Sequence, residues 1–234
     1  MSDTDLLDDL VAANHILFDQ GVVDAFGHVS VRHDKRADRY LLARNMAPAQ
    51  VTRDDIVEFE LDSTPLAADG RPVYLERFIH GEIYRARPDV MAVVHSHSPT
   101  VVPFSVVPSV PLRPVCHMSG FLGAGAPNFE IRDVAGAATD LLITSRDLGA
   151  ALARCLGSGL IVLMRGHGST VVGATLQQAV YRAVYTEINA RLQAEAMRLG
   201  PVTYLTPEEA ATALKNVETQ IKRPWDLWKA RIGK

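Results

Sequence analysis

Apolar positions along the chain follow two periods, and the switches between them mark the elements. Leu6, Leu7, Leu10, Val11, Ile16 and Leu17 recur at the spacing of one helix face, so residues 4–20 are predicted to form an amphipathic helix that Gly21 ends. Short β-prone runs at 28–32 and 39–43 read as strands, and 54–61 reads as a turn leading into another. Residues 75–87 show helical spacing closed by Pro88, because the residue before a proline is pushed out of the helical region. The apolar run 90–95 predicts a buried strand, followed by strands at 112–117 and 160–164 and helices at 144–156 and 176–199. From residue 207 a last helix leads to Pro224, Trp225 and Trp228, whose large apolar surfaces are expected to pack on a neighbour or over a cleft. Helices alternating with short strands predict an α/β architecture around a central mixed sheet.

Composition leaves that frame in place. The chain has 234 residues, 47% hydrophobic and 22% charged, enough to bury one sizeable core, and nothing marks an internal boundary. Residues 1–234 are therefore expected to form one domain, with the segment from 207 as its tail. The net charge of -3 comes with scattered lysines and arginines rather than a basic stripe, which argues against a nucleic-acid partner. No apolar run approaches the roughly 18 residues of a membrane span, and the acidic start MSDTDLLDDL lacks the pattern of a secretory leader. A cytoplasmic protein with no membrane partner is expected. Cys116 and Cys155 fit reduced thiols better than a disulfide framework.

The stretch 90–98, VMAVVHSHS, adds chemistry. Its apolar run stops at His95 and His97, and in an extended strand two residues two apart point the same way, so both imidazoles can grip one divalent cation. Half-buried histidines hydrogen-bonded at a sheet edge would give the same short pattern. A second apolar run, 160–164, feeds Arg165, Gly166, His167 and Gly168, placing a third histidine just past another buried strand. Three imidazoles on two strand ends would make an open site of the catalytic kind. Glu76 and His80, four apart, share one face of the predicted helix 75–87, with Glu76 in its first turn as a candidate acid/base and His80 as an alternative proton source.

Taken in order, ERFIHGEIYRARPDVMAVVHSHS and the later MRGHGSTVVG resemble the class II aldolase and adducin head-domain family, from the first helix and GHVSVR to the helix after His167. The resemblance implies a three-layer α/β/α fold with a mainly antiparallel central sheet. It also implies a divalent ion, Zn²⁺ or Mn²⁺, on His95, His97 and His167, and Glu76 as catalytic acid/base. A four-fold homotetramer with active sites at subunit interfaces follows from it as well. The intact set of four argues for an enzyme over a non-catalytic, adducin-like interaction module.

Departures from the pattern point to the reaction. The sugar-phosphate aldolases of the family hold phosphate with an Asn in a GNVS-type segment, a Thr-Gly in the next loop and a Ser-Ser before the glutamate. This chain has His28 in GHVS, Arg44 and Asn45 in LLARNMAP, and Tyr74 and Leu75 before Glu76. Those aldolases carry His-Tyr where this chain has His117 and Met118, so the tyrosine that would serve an aldehyde oxygen is missing. Arg44, Arg77 and Arg113 lie in or beside these segments, and guanidinium forks suit carboxylates. His28, Arg44, Asn45, Arg77 and His117 are thus candidates to bind substrate. The pattern resembles the branch of the family that decarboxylates hydroxylated aromatic or pyridine dicarboxylates in aromatic or vitamin B6 breakdown. An aldolase acting on a non-phosphorylated hydroxy or keto acid is the alternative.

Overall fold

Two faces of one sheet, each covered by helices, follow from the period-two alternation of the strands. The computed structural model describes residues 3–66 and 70–233; Met1 and Ser2, part of the acidic start, lie outside them. The first helix, α1, spans Asp3–Asp19 and ends where Gly21 takes a left-handed φ of 69°. Strands β1 (His28–Arg32), β2 (Arg39–Ala43) and β3 (Ile56–Glu60) form an antiparallel meander. Helix α2 (Arg77–Ala86) leads to β4 (Ala92–Ser96), which pairs antiparallel with β1. The short helix α3 (Val102–Val106), the two-residue strand β5 (Asn128–Phe129) and one-turn α4 (Arg132–Ala135) precede α5 (Arg146–Leu156). Then β6 (Ile161–Met164) and β7 (Gly168–Gly173) form a hairpin, and α6 (Leu176–Leu199), α7 (Pro207–Glu218) and α8 (Lys222–Ile232) complete the chain.

The seven strands lie in the order β3-β2-β1-β4-β7-β6-β5, open at both edges, and every pairing is antiparallel except β5 with β6. Alternation sorts side chains between two clusters. Val29, Val31, Val94 and Val171 face the cluster shared with α1, α6 and α8. Tyr40, Leu42, Val93, Val162 and Val172 face the one shared with α2 and α5. His28, Ser30 and His95 fall on this second face, opposite α2: Ser30 pairs with Leu42 and Val93, His28 is two residues from it, and His95 is two from Val93.

Two elements differ from expectation. Residues 112–116 pair with no strand, because α6 side chains take up their main-chain groups. Gln193 Oε1 accepts from the Arg113 N–H, Asn189 Oδ1 accepts from that of Val115, and Asn189 Nδ2 donates to the Arg113 carbonyl, at 2.8–2.9 Å. A 3-10 helix, His117–Leu122, follows directly. The tail is two helices rather than one, and Pro224 sits in the first turn of α8, where a missing N–H costs no helix bond. Trp225 and Trp228 are buried in the cluster with α1 and α6.

Candidate metal centre

The ends of two central strands bring the distant histidines together. His95 is in β4 and His97 just beyond it; His167 immediately precedes β7, and the antiparallel register sets Ser96 opposite Ser169. A side chain at Gly168 could not be accommodated, since a Cβ there would lie 2.0 Å from the Ser96 carbonyl oxygen. The result is a cluster in which the Nε2 atoms of His95 and His97 are 3.1 Å apart and those of His97 and His167 are 2.9 Å apart.

Glu76 closes the fourth side. It is the residue just before α2 rather than in its first turn, and its carboxylate leaves its own helix end uncapped to reach the cluster. Oε1 accepts from the Ile143 N–H at 2.9 Å, which aims Oε2 to within 3.5 Å of His95 Nε2 and 3.4 Å of His167 Nε2. All four donor atoms lie within 4.8 Å of one another. His167 Nδ1 donates to the Leu141 carbonyl at 2.9 Å, so its Nε2 turns a lone pair inward. Leu141 itself holds a left-handed φ of 70°, a strained conformation for a leucine, at the residue that supplies this acceptor.

The donor set fits a small divalent cation. Inward lone pairs this close repel one another unless a positive charge sits among them. Bonds of about 2.0–2.1 Å to a tetrahedral ion place neighbouring nitrogens roughly 3.3 Å apart, close to the spacing here. Burial pulls the pKa of His95 below its ordinary value and that of His97 down to about 4, favouring the neutral form a metal requires. At His167 burial pulls the same way, but the hydrogen bond and charge of Glu76 outweigh it and raise the value. Burial alone would raise the Glu76 carboxyl, but its place against the His95 and His167 rings outweighs this and lowers it.

A cavity of about 330 Å³ opens beside the cluster. Phe26, Met46, Tyr74, Leu75 and Leu142 make its wall mostly apolar; His28, Asn45, Glu76 and His97 supply the polar groups, and among the described residues no lysine or arginine lines it. Of the residues singled out from sequence, His28 and Asn45 therefore meet this cavity. His80 lies behind the wall with no exposed surface, hydrogen-bonded to His28 and Ser30, so it touches no substrate directly. The arginines are engaged elsewhere. Arg44 Nε donates to Asp55 at 2.7 Å. Arg77 donates to the Ser63 and Tyr74 carbonyls and stacks over Phe78, and Arg113 stacks over Tyr204. His117 is exposed and borders a separate groove with Tyr185 and Arg223. What sequence reasoning missed is the 141–143 loop, which orients both His167 and Glu76 through main-chain groups and so carries no side-chain signature.

With this geometry in place, the relatives can be set beside it. Residues 8–194 match the class II aldolase and adducin N-terminal domain, and the chain belongs to that family. Decarboxylase tropJ of Talaromyces stipitatus is 40% identical over 241 residues, 93% of this chain and 90% of that one. The 3,4-dihydroxyphthalate decarboxylase of a Terrabacter species is 30% identical over 212 residues, 85% of this chain and 84% of that one. The L-fuculose 1-phosphate aldolase from Glaciozyma antarctica superposes with a TM-score of 0.78 over 97% of this chain and 88% of its own, at 24% identity, which speaks for the shared fold.

Proposed function

We propose that the protein is a divalent-metal-dependent decarboxylase of an aromatic acid with a hydroxyl ortho to the departing carboxylate. The dihydroxyphthalate and hydroxypyridine dicarboxylate types met in aromatic breakdown head the candidates. The observation that carries this reading is the cavity wall: apolar side chains that suit a flat ring, no cation to hold a phosphate, and a His-rich donor cluster at one end. Relatives whose names specify decarboxylases support it.

In this reading His95, His97 and His167 hold zinc or manganese. The ion would act as a Lewis acid, drawing electron density onto the substrate's oxygens. Ionised Glu76 takes the proton of the substrate hydroxyl and then delivers it to the ring carbon bearing the carboxylate. The carbon-carbon bond to that carboxylate breaks, its electron pair restores the aromatic ring, and carbon dioxide leaves. A second carboxylate would meet His28 and Asn45 rather than a guanidinium of the same chain. We read the assembly as a homotetramer: a substrate role for His117, exposed and away from its own cavity, requires a second subunit. Sedimentation of the purified protein measures that state.

The deciding experiment is a screen for carbon dioxide release from hydroxylated benzene and pyridine carboxylates by zinc- and manganese-loaded protein. Release from an ortho-hydroxy acid is expected. An aldehyde or keto-acid product from a hydroxy acid, with no carbon dioxide, would overturn the reading in favour of an aldolase.

A further inference from the structure

Behind the cavity wall, one strand and one helix each contribute two polar side chains to a single buried line. His28 and Ser30 are two apart on β1 and point to the same sheet face, while His80 and Tyr84 are four apart on α2 and share the helix face turned toward it. The Tyr84 hydroxyl and Ser30 Oγ are 2.7 Å apart, Ser30 Oγ and His80 Nδ1 are 2.6 Å apart, and His80 Nε2 and His28 Nδ1 are 2.6 Å apart. All four residues are buried.

We propose that Tyr84, Ser30 and His80 form a one-way hydrogen-bond chain that fixes His28 as its Nε2–H tautomer, giving the cavity a neutral N–H donor for a substrate oxygen. The inference rests on reading that cavity as the site of decarboxylation.

The direction follows from counting protons. A phenol has one, and the hydrogen-bond partner of Tyr84 is Ser30; pointed elsewhere in this buried setting, the O–H would be left unpaired. Tyr84 therefore donates to Ser30. The single serine proton then goes to His80 Nδ1, which must accept. A neutral imidazole that accepts at Nδ1 carries its proton on Nε2, so His80 donates to His28 Nδ1, and the same rule places the His28 proton on Nε2. His28 Nε2 has no partner among the described residues and is not sealed in the interior, so it opens to the cavity that His28 lines. That donor is beside the metal cluster, because His28 faces His95 across the β1–β4 pairing with ring centroids 4.9 Å apart.

The tautomer matters because an imidazole can present either a proton or a lone pair. A lone pair facing a carboxylate or phenolate oxygen would repel it. A neutral N–H holds such an oxygen without the full charge pairing that would stabilise the carboxylate more than the transition state for its loss. His28 is thus assigned contact with substrate, and Ser30, His80 and Tyr84 are positioning residues.

The test is ring-nitrogen NMR of ¹⁵N-histidine-labelled, zinc-loaded protein, in the wild type and in Ser30→Ala, Ser30→Thr and Tyr84→Phe. The wild-type His28 should show a protonated Nε2 and an unprotonated Nδ1. Ser30→Ala and Tyr84→Phe should give mixed or reversed tautomers and weaken binding of 2-hydroxybenzoate about five- to tenfold, while Ser30→Thr, which restores the hydroxyl, should recover both. Equal zinc content and a single cooperative melting transition establish that the variants fold. A protonated Nδ1 on wild-type His28, or an unchanged tautomer in folded Ser30→Ala, would overturn the proposal. Failure of the decarboxylase reading would appear separately, as absence of carbon dioxide release with the tautomer pattern intact.

Discussion

At the scale of single residues, the same burial does different things to different histidines. His167 is oriented by Leu141 and faces the cluster, so His167→Ala removes one of three nitrogens from a rigid sheet end. Metal analysis should find most of the ion lost with the fold retained. Glu76→Gln keeps the shape but cannot carry the proton; turnover should fall by at least about a hundredfold, measured as carbon dioxide release. His80, a positioning residue, also bears on stability. Its folded pKa of about 3 lies below the ordinary 6.5 because burial disfavours its charge, so between these values the unfolded chain binds more protons. Its contribution is fully present above about pH 6.5 and is lost progressively as pH falls toward 3. Between pH 7 and pH 5 that amounts to about 2 kcal/mol, so urea unfolding of His80→Gln should show a pH dependence flatter by about that much. An unchanged slope would place the burden on other groups.

At the scale of elements, what was legible in the sequence was whatever repeats. The period-two and period-3.6 patterns locate β1, β2, β4, β6, α1, α2, α5 and α6 closely, and the His-x-His at the end of an apolar run locates half of the cluster. Elements whose polar groups are satisfied by side chains from afar leave no such pattern. The 112–117 segment has strand-like composition, yet Asn189 and Gln193 on α6 replace a partner strand, and nothing local reveals that. Side-chain pairing is equally invisible locally: Arg44 lies beside the loop that lines the cavity, and its Nε donates to Asp55, eleven residues on. The β7 strand, by contrast, could have been read from the β-branched run after His167. Its first residue carries a sharp expectation. Gly168→Ala forces a methyl group against the Ser96 carbonyl and within 3.2 Å of His97 Cα, so β4 and β7 must separate at the point where they bring the histidines together. Stability should drop by roughly 1–3 kcal/mol or more, and zinc affinity by about ten- to a hundredfold, read by melting and by competition with a chelator. A smaller effect on zinc than on stability would mean the histidines are held by something other than strand register.

At the scale of the whole molecule, the sheet supplies the cluster and the helices on its two faces do separate work. The α2 and α5 side presents the polar line behind the cavity, whereas the α1, α6 and α8 side holds the larger apolar cluster. The tail belongs to the second side. Lys229 Nζ donates to Asp9 at 2.7 Å and Arg231 to Asp19 at 2.9 Å, so charge as well as apolar surface fastens α8 along α1. From sequence the tryptophans were expected to pack on a neighbour or over a cleft; within the subunit they pack against α1 and α6. The two arrangements differ in a measurable way. With Trp228 buried in its own chain, Trp228→Ala leaves a cavity beneath α8 and should cost about 3–5 kcal/mol, visible as a lower unfolding midpoint in urea. The oligomeric state at protein concentrations where the variant stays folded should match the wild type, and zinc content should match as well, because α8 contributes no residue to the cluster. Dissociation of the assembly in Trp228→Ala without loss of subunit stability would return the tail to the role its composition first suggested.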